Sequence, residues 1–298
     1  EGGFRVTELD ASGSVPDLLA TNDCGQPVLL VDGEQLVGAK QNRIINITVL
    51  IAAKSSLKIP VSCVEAGRWS HSSADLAFEN APDAYFAEGR RQKARQVSRS
   101  MAGGRGRRSD QRMVWDAVAA KSDRLSASSV TGDVRAGYRR HHGHIEDYVS
   151  AIAVRPDQAG ALFAIDGEPV GIELFGHPAP FGRLFAKLVR SYAIDAIETA
   201  QPAEAVPDIA QALSFIEAVT AAPASAYPAL GLGQDLRLES DEIDGGALFA
   251  GEAEESLIHL CAFRERAVAE AAGASGRGPS MQRPSQRRRR HHGRRTLH

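Results

Sequence analysis

Cysteine is scarce in this chain of 298 residues, and the three that occur lie far apart. Cys24, Cys63 and Cys261 form no C-x-x-C pair, so neither a disulfide framework nor a thiolate zinc site is indicated. Long apolar runs are also missing, because stretches such as Ile47 to Ala53 fall short of the roughly 18 residues of a membrane span. We therefore expect no membrane association, no cofactor or metal, and a reducing, cytoplasmic location.

The chain opens at Glu1 without a basic segment followed by an apolar one, so no secretory signal is visible. The composition itself is ordinary for a globular protein, with 43% hydrophobic and 24% charged residues. A chain of this length buries one large core or two modest ones without needing disulfide or metal staples.

Charge is distributed unevenly along the chain. Residues 265–298 carry nine Arg against two Glu, whereas residues 1–264 hold 26 basic and 35 acidic residues. The tail is also rich in Gly, Ser, Pro and Gln, which bury too little apolar area to offset the entropy of ordering. We predict one domain over 1–264 and a disordered Arg-rich tail over 265–298. The tail lacks interleaved aromatic residues, so nucleic acid is expected to bind it only weakly.

The first third of the domain has the pattern of short antiparallel strands. Strands are predicted over 27–31, 43–51 and 58–64, with Asp32 and Gly33 forming a tight turn. In the last strand, alternation places four apolar side chains on the inner face: Leu57, Ile59, Val61 and Cys63. Such strands favour a sandwich or an open barrel.

Helices and a second group of strands are predicted farther along. The segment from Ser70 to Asp157 is helical and basic in pattern, and Asp166-Gly167 between two apolar runs predicts a hairpin. Helices are predicted from Ser109 and over 145–152, 180–199 and 208–219, and closing strands near 236–238, 246–249 and 256–263. The fold class is therefore α+β, with β-rich sandwich-like sheets of short antiparallel strands and flanking helices.

Two segments are more specific than any short catalytic motif in the chain. They read DGEQLVGAKQNRIIN at 32–46 and IPVSCVEAGRW at 59–69. Both resemble the signature of the ARPP domain, a family named for its association with ADP-ribosylglycohydrolases and rhodanese-phosphatases. The resemblance extends over roughly residues 20–264, including RRSDQ at 107–111 and HLCAF at 259–263. It implies a role in the metabolism of NAD-derived or ADP-ribosyl compounds, with a nucleotide or ADP-ribose-like small molecule as partner.

The first of these segments concentrates polar residues before a predicted strand. Lys40 and Arg43 are candidates for holding a pyrophosphate, and Glu34 for accepting ribose hydroxyls or acting as a general base. Asn42 and Asn46 complete this set of ligand-binding candidates. The alternative is structural, because a bend in the chain and these amides can also satisfy buried backbone groups.

The second segment ends in a group of chemically versatile residues. Glu65 is the second catalytic candidate, Arg68 a candidate ligand contact, and Trp69 either stacks on a base or seals the core. Glu65 and Arg68 also have opposite charge, so a simple ion pair is the alternative. Cys63 lies on the inward parity of its strand, which favours inert packing over nucleophilic catalysis.

A glycine- and arginine-rich loop precedes the predicted helix at Ser109. Its arginines, with Arg107 and Arg108 as named candidates, favour phosphate binding, and a solvated basic loop is the alternative. The histidines near His142 lack accompanying metal ligands and are expected on a surface loop. The leading hypothesis is a domain that binds or processes a phosphorylated nucleotide-like molecule, and the competing one is a non-catalytic interaction domain.

Overall fold

The computed structural model describes residues 3–10, 12–70, 77–199, 208–251 and 256–265. These residues form 14 strands and six α-helices, so the predicted α+β class is confirmed. No helix within these ranges is both long and apolar enough to cross a bilayer. Residues 266–298, where the sequence predicts disorder, lie outside the described residues.

The first eight strands build a barrel and a small accessory sheet. In chain order they are β1 (Phe4–Thr7), β2 (Asp17–Asn22), β3 (Val28–Leu30), β4 (Glu34–Gly38), β5 (Arg43–Ile45), β6 (Val49–Ile51), β7 (Ser55–Cys63) and β8 (Ala77–Ala84). Six of them close into a barrel in the order β1-β2-β7-β5-β4-β8, and β3 pairs with β6 apart from it. Every neighbouring pair is antiparallel. Closure removes the exposed sheet edges that an open barrel would leave.

The predicted strand over 43–51 is wrong as a single element. It is divided into β5 and β6, with residues 46–48 between them. At the break, the Asn46 side chain accepts a hydrogen bond from Ser62 Oγ (2.6 Å) and donates one to the carbonyl of Arg107 (3.3 Å). Because β6 then leaves the barrel to pair with β3, one apolar run serves two sheets. The strand β8 likewise falls where the sequence predicts helix.

The last six strands form a separate antiparallel sheet. They are β9 (Gly160–Ile165), β10 (Glu168–Phe175), β11 (Ala224–Pro228), β12 (Gln234–Glu239), β13 (Ile243–Phe249) and β14 (Leu257–Arg264), in the order β11-β12-β13-β14-β10-β9. The predicted hairpin is confirmed as β9 and β10. Its turn residues Asp166 and Gly167 both have positive φ, as a tight two-residue hairpin turn requires.

The helices are α1 (Ala87–Ala102), α2 (Gln111–Arg124), α3 (Arg135–Arg140), α4 (His142–Ala151), α5 (Pro178–Ala196) and α6 (Ile209–Ala221). The predicted helices near 109, 145, 180 and 208 correspond to α2, α4, α5 and α6. Helix α1 lies between the two sheets, since Val97 and Met101 pack into the barrel core while Ala87 packs against residues of β9, β10 and β14. The helices are therefore not confined to the outside of the sheets.

A buried network of charges joins α1 to both sheets. Arg90 binds Asp32 of the barrel (3.2 Å) and Glu173 of β10 (2.6 and 3.3 Å), and no part of its side chain is exposed. Lys93 also binds Asp32 and donates to the carbonyls of Ile45 (3.0 Å) and Asn46 (2.8 Å). Burial alone would raise the pKa of Asp32, but the charges of Lys93 and Arg90 outweigh it and hold that pKa below its usual value.

Candidate functional site

An open groove of about 580 Å³ runs along α1 and the loop that leads to α2. We call it the arginine groove and define it by its lining residues: Arg91, Gln92, Arg95, Gln96, Arg99, Ser100, Arg105, Arg108, Ser109, Asp110 and Met113. Five cations and one carboxylate therefore face the same space. Its size is that of a typical small-molecule site, which occupies roughly 300–1,000 Å³.

The helix supplies three of these cations at intervals of four residues. Residues four apart lie on the same helix face, so Arg91, Arg95 and Arg99 form one row along the groove. Each of them is paired with carboxylates: Arg91 with Glu88 (2.9 Å), Asp244 (2.8 Å) and Glu265 (3.3 Å), Arg95 with Asp244 (3.4 Å), and Arg99 with Glu239 (3.0 Å). The row on the helix is therefore largely neutralised within the protein, and Arg99 is its most exposed member at 62%.

The loop supplies the remaining cations. Its glycines Gly104 and Gly106 have φ of +69° and +78°, the left-handed conformation that glycine adopts without strain. Arg108 lies 3.3 Å from Asp17, at the start of β2. The exposed guanidinium of Arg105, in contrast, has no carboxylate within 4 Å among the residues that the structure describes.

The N-terminus of α2 is occupied by its own cap. A carboxylate oxygen of Asp110 accepts hydrogen bonds from the backbone N–H groups of Arg112 (2.9 Å) and Met113 (3.2 Å). The donors that a phosphate would need at the helix end are thus already satisfied. Arginine side chains, and not the helix terminus, are the anion-binding groups of this groove.

Six of the residues singled out in the sequence meet at one end of the barrel. We call them the Trp69 cluster: Lys40, Asn42, Arg43, Glu65, Arg68 and Trp69. Arg68 binds the Glu65 carboxylate twice, through Nε (2.9 Å) and Nη2 (2.7 Å), and also donates to Asn42 Oδ1 (3.2 Å). The Trp69 ring is 48% exposed and covers Lys40 Nζ and the Arg43 guanidinium, at 5.3 and 5.8 Å from its centre.

Most polar groups of this cluster are satisfied within the protein. Glu65 also accepts from Thr131 Oγ1 (2.9 Å) and from the Asn42 backbone N–H (3.1 Å). Burial raises the pKa of Glu65, but the hydrogen bonds from Arg68 and Thr131 outweigh that effect and place it below the usual value. Asn42 in turn donates to Asp133 (3.2 Å). Glu65 is thus a fixed, ionised counter-charge for Arg68.

The other candidates lie apart from this cluster. Glu34 is buried at the opposite end of β4 from Lys40, where it accepts from the Val31 N–H (2.8 Å), Asn80 (2.9 Å) and Lys187 (2.9 Å). These donors account for both of its oxygens. The residues therefore do not line one cleft shared by Glu34 and the Trp69 cluster.

The remaining candidates belong to the loop between α1 and α2. Asn46 contacts the backbone of Arg107, whose side chain turns away to Asp235 (3.3 Å) and the carbonyl of Pro228. Arg108 faces the arginine groove instead. Of the two loop arginines named from the sequence, only Arg108 lines a space that is open to a ligand.

Two further sequence expectations have a definite place in the structure. Cys63 lies inside the barrel, as the strand alternation predicts, and burial raises the pKa of its thiol. His142 and His144 are exposed, as expected, but the predicted loop is wrong because they form the first turn of α4. Among the described residues there is no group of three or more potential metal ligands.

Sequence reasoning missed the helical half of the arginine groove. The four-residue spacing of Arg91, Arg95 and Arg99 is visible in the sequence, but it indicates a single surface only when the segment is known to be a helix. It also missed Glu8, which follows β1 and enters the barrel beside Arg43. No local pattern marks that position, because the contact spans 35 residues of sequence.

The fold and its groove define an α+β domain in which a closed barrel and an antiparallel sheet enclose an arginine-rich helix. The sequence profile described as the ARG and Rhodanese-Phosphatase-superfamily-associated Protein domain matches residues 1–263. The chain therefore belongs to the ARPP family. Neither a search of curated proteins nor a search of solved structures gave a match.

Proposed function

We propose that this protein binds a phosphorylated, nucleotide-like small molecule in the arginine groove. The observation that carries the proposal is the convergence of five arginines on one groove, where Arg105 has no carboxylate within 4 Å among the described residues and Arg99 is 62% exposed. Guanidinium groups match phosphate oxygens in a two-pronged geometry, and hydrogen bonds between charged groups are the strong ones. A ligand with two linked phosphates would therefore span the row on the helix and the loop.

The groove also offers neutral groups for the rest of such a ligand. Gln92, Gln96, Ser100 and Ser109 line it together with the exposed apolar side chain of Met113. Amide and hydroxyl groups can bind ribose hydroxyls, and Met adapts to flat apolar surfaces. Family membership supports the same class of ligand, an ADP-ribose-like compound. Cys63 and Cys261 are buried and form no disulfide, which supports a reducing compartment such as the cytoplasm for this binding.

Titration calorimetry of the full chain with ADP-ribose, ADP and pyrophosphate tests the proposal. Replacing Arg99 and Arg105 together with Gln removes two exposed cations and should weaken binding at least about tenfold, since one charged hydrogen bond contributes roughly 1.5–3 kcal/mol. The matched control is Arg112→Gln, an exposed arginine one turn away that does not line the groove.

The comparison between variants also controls for the basic tail, which is common to all three proteins. Binding by the wild type that survives in Arg112→Gln and is lost in the double variant would support the groove. Equal losses in both, or no binding of any phosphorylated probe, would contradict it. A negative result would favour the non-catalytic interaction domain.

A further inference from the structure

The arginine groove is lined by two glutamines of α1 as well as by cations. Gln92 and Gln96 directly follow Arg91 and Arg95, so the dipeptide Arg-Gln is repeated at an interval of four residues. Residues four apart lie on the same face of a helix, so the two side-chain amides are neighbours. Both side chains are partly exposed and both line the groove. They form one neutral polar surface on its wall.

Each amide is held in one orientation by a hydrogen bond within the protein. Gln92 Nε2 donates to Glu88 Oε1 (2.8 Å), in a carboxylate that also binds Arg91 and can only accept. The Asp110 backbone N–H, which can only donate, binds Gln96 Oε1 (2.9 Å). These partners determine which end of each amide is oxygen and which is nitrogen. The opposite atoms, Gln92 Oε1 and Gln96 Nε2, have no hydrogen-bond partner among the described residues.

The wall of the groove therefore presents an acceptor at Gln92 followed by a donor at Gln96. The complementary edge of a ligand has an N–H donor next to an acceptor, and proteins read nucleobases through such hydrogen bonds to their Watson–Crick edge. Adenine has this edge in its N6 amine and N1, and cytosine has it in its N4 amine and N3. Hypoxanthine and uracil have an oxo acceptor next to a ring N–H, which is the opposite order.

Met113 offers an apolar contact for the ring of such a base. The hydrogen bond between Asp110 and Gln96 places the first turn of α2 beside the amides, and Met113 lies three residues beyond Asp110 on the same helix face. The Met113 side chain is 51% exposed and lines the groove. Because a thioether side chain adapts to flat surfaces, it can cover the ring while the amides bind its edge.

The least neutralised cations of the groove determine the direction of the ligand. At roughly 1.5 Å per residue, the helix places Arg99 about 10 Å beyond Gln92, a length that a nucleoside monophosphate spans. The loop that carries Arg105 follows the same end of α1. In adenine and cytosine the sugar is attached on the side remote from the amine, so an amine at Gln92 directs the phosphate toward Arg99. An oxo base restores both hydrogen bonds only when it is reversed, which turns its phosphate away from these arginines.

We propose that Gln92 and Gln96 select a nucleotide whose base carries an exocyclic amine beside a ring-nitrogen acceptor, a 6-aminopurine or a 4-aminopyrimidine. Gln96 Nε2 donates to the ring nitrogen, Gln92 Oε1 accepts from the amine, and the phosphate lies at Arg99 and Arg105. The hydroxyl groups of the groove remain for the ribose. This inference rests on the proposed function, because it takes the arginine groove as the nucleotide site. It adds the class of base, which the cations alone do not determine.

Titration calorimetry of the full chain with two pairs of nucleotides tests this selection. AMP and IMP differ only at the base edge, as do CMP and UMP, and the phosphate contributes equally within each pair. AMP should bind at least about tenfold more tightly than IMP, and CMP than UMP, since a two-bond mismatch at a base edge has an effect of that size. Equal affinities within either pair would overturn the base selection and leave the groove as a phosphate site. Binding of none of the four would overturn both proposals.

Gln96→Glu tests the chemistry of recognition directly. The introduced carboxylate still accepts from the Asp110 N–H but no longer donates to a ring nitrogen, so AMP and IMP each keep one matched hydrogen bond. Its added negative charge weakens both nucleotides alike, and the ratio of their affinities should therefore fall to about one. The matched control is Gln211→Glu on α6, which adds the same charge at an exposed position outside the groove and should leave the ratio unchanged. A preference for AMP that persists in Gln96→Glu would refute the assignment.

Discussion

Replacing Arg90 with Met should destabilise the protein severely, because the buried network loses its central cation. The side chain makes three hydrogen bonds to two carboxylates and has no exposed surface. Removing one partner of a buried ion pair costs roughly 3–5 kcal/mol, since the other is left as an uncompensated charge. Met fills much of the vacated volume, so the loss reports mainly the charge and not a cavity.

The expected loss corresponds to a fall in melting temperature of about 6–20 °C, at roughly 2–4 °C per kcal/mol for a domain of this size. Urea unfolding followed by circular dichroism measures the free energy of unfolding, and calorimetry measures the melting temperature. The matched partner change is Glu173→Leu. Alone it leaves Arg90 with only Asp32 and removes an acceptor from Tyr192 and His259.

The double variant Arg90→Met/Glu173→Leu completes a thermodynamic cycle. Its loss should be smaller than the sum of the two single losses by more than about 1 kcal/mol, because the second change removes a charge that the first has stranded. Additive losses within about 0.5 kcal/mol, or a loss below about 1 kcal/mol for Arg90→Met, would show that the network contributes no coupled stability.

Three further outcomes follow from the structure. The pKa of Glu65 lies below its usual value, so the ionised carboxylate stabilises the folded protein above about pH 4.3, and this stabilisation is lost as pH falls through the folded pKa. The free energies of unfolding of wild type and Glu65→Gln, measured in urea, should therefore converge in acid. Gly33→Ala places a Cβ 2.6 Å from the Arg90 side chain at φ +80° and should lower the free energy of unfolding by more than about 2 kcal/mol. Gly104→Ala, at φ +69° in open space, should lower it by about 1 kcal/mol. Native thiol labelling should modify the partly exposed Cys24 and spare Cys63 until the protein unfolds, and rapid labelling of both would contradict the burial of Cys63.

Local sequence patterns predicted the elements that are determined locally. The Asp166-Gly167 turn, the alternation in β7 and the start of a helix near Ser109 each depend on a few neighbouring residues, and all three occur in the structure. The strand at 43–51 failed because Asn46 interrupts it through contacts with Ser62 and the distant Arg107. Local patterning cannot contain that information.

The site was harder to predict for the same reason. The Trp69 cluster forms because β5 pairs with β7, so that the start of β5 lies beside the end of β7. This pairing brings Lys40, Asn42 and Arg43 next to Glu65 and Arg68. Glu34 is only six residues from Lys40, but a strand separates them and moves Glu34 to the other end. The prediction grouped Glu34 with Lys40 because they are close in sequence, but the direction of β4 places them at opposite ends of the strand.

The position of α1 determines how the chain can be divided. All barrel strands precede residue 85 and all strands of the second sheet follow residue 159, so the sequence looks separable into two halves. Yet the cations of α1 neutralise Asp32 in one half and Glu173 and Asp244 in the other. A fragment with one sheet and no α1 would retain buried carboxylates without their counter-charges. A fragment with one sheet and α1 would lack the carboxylates that the other sheet provides to the cations of α1. Separating the two sheets would therefore leave buried charges unpaired in both pieces, and such fragments should be less stable than the whole chain.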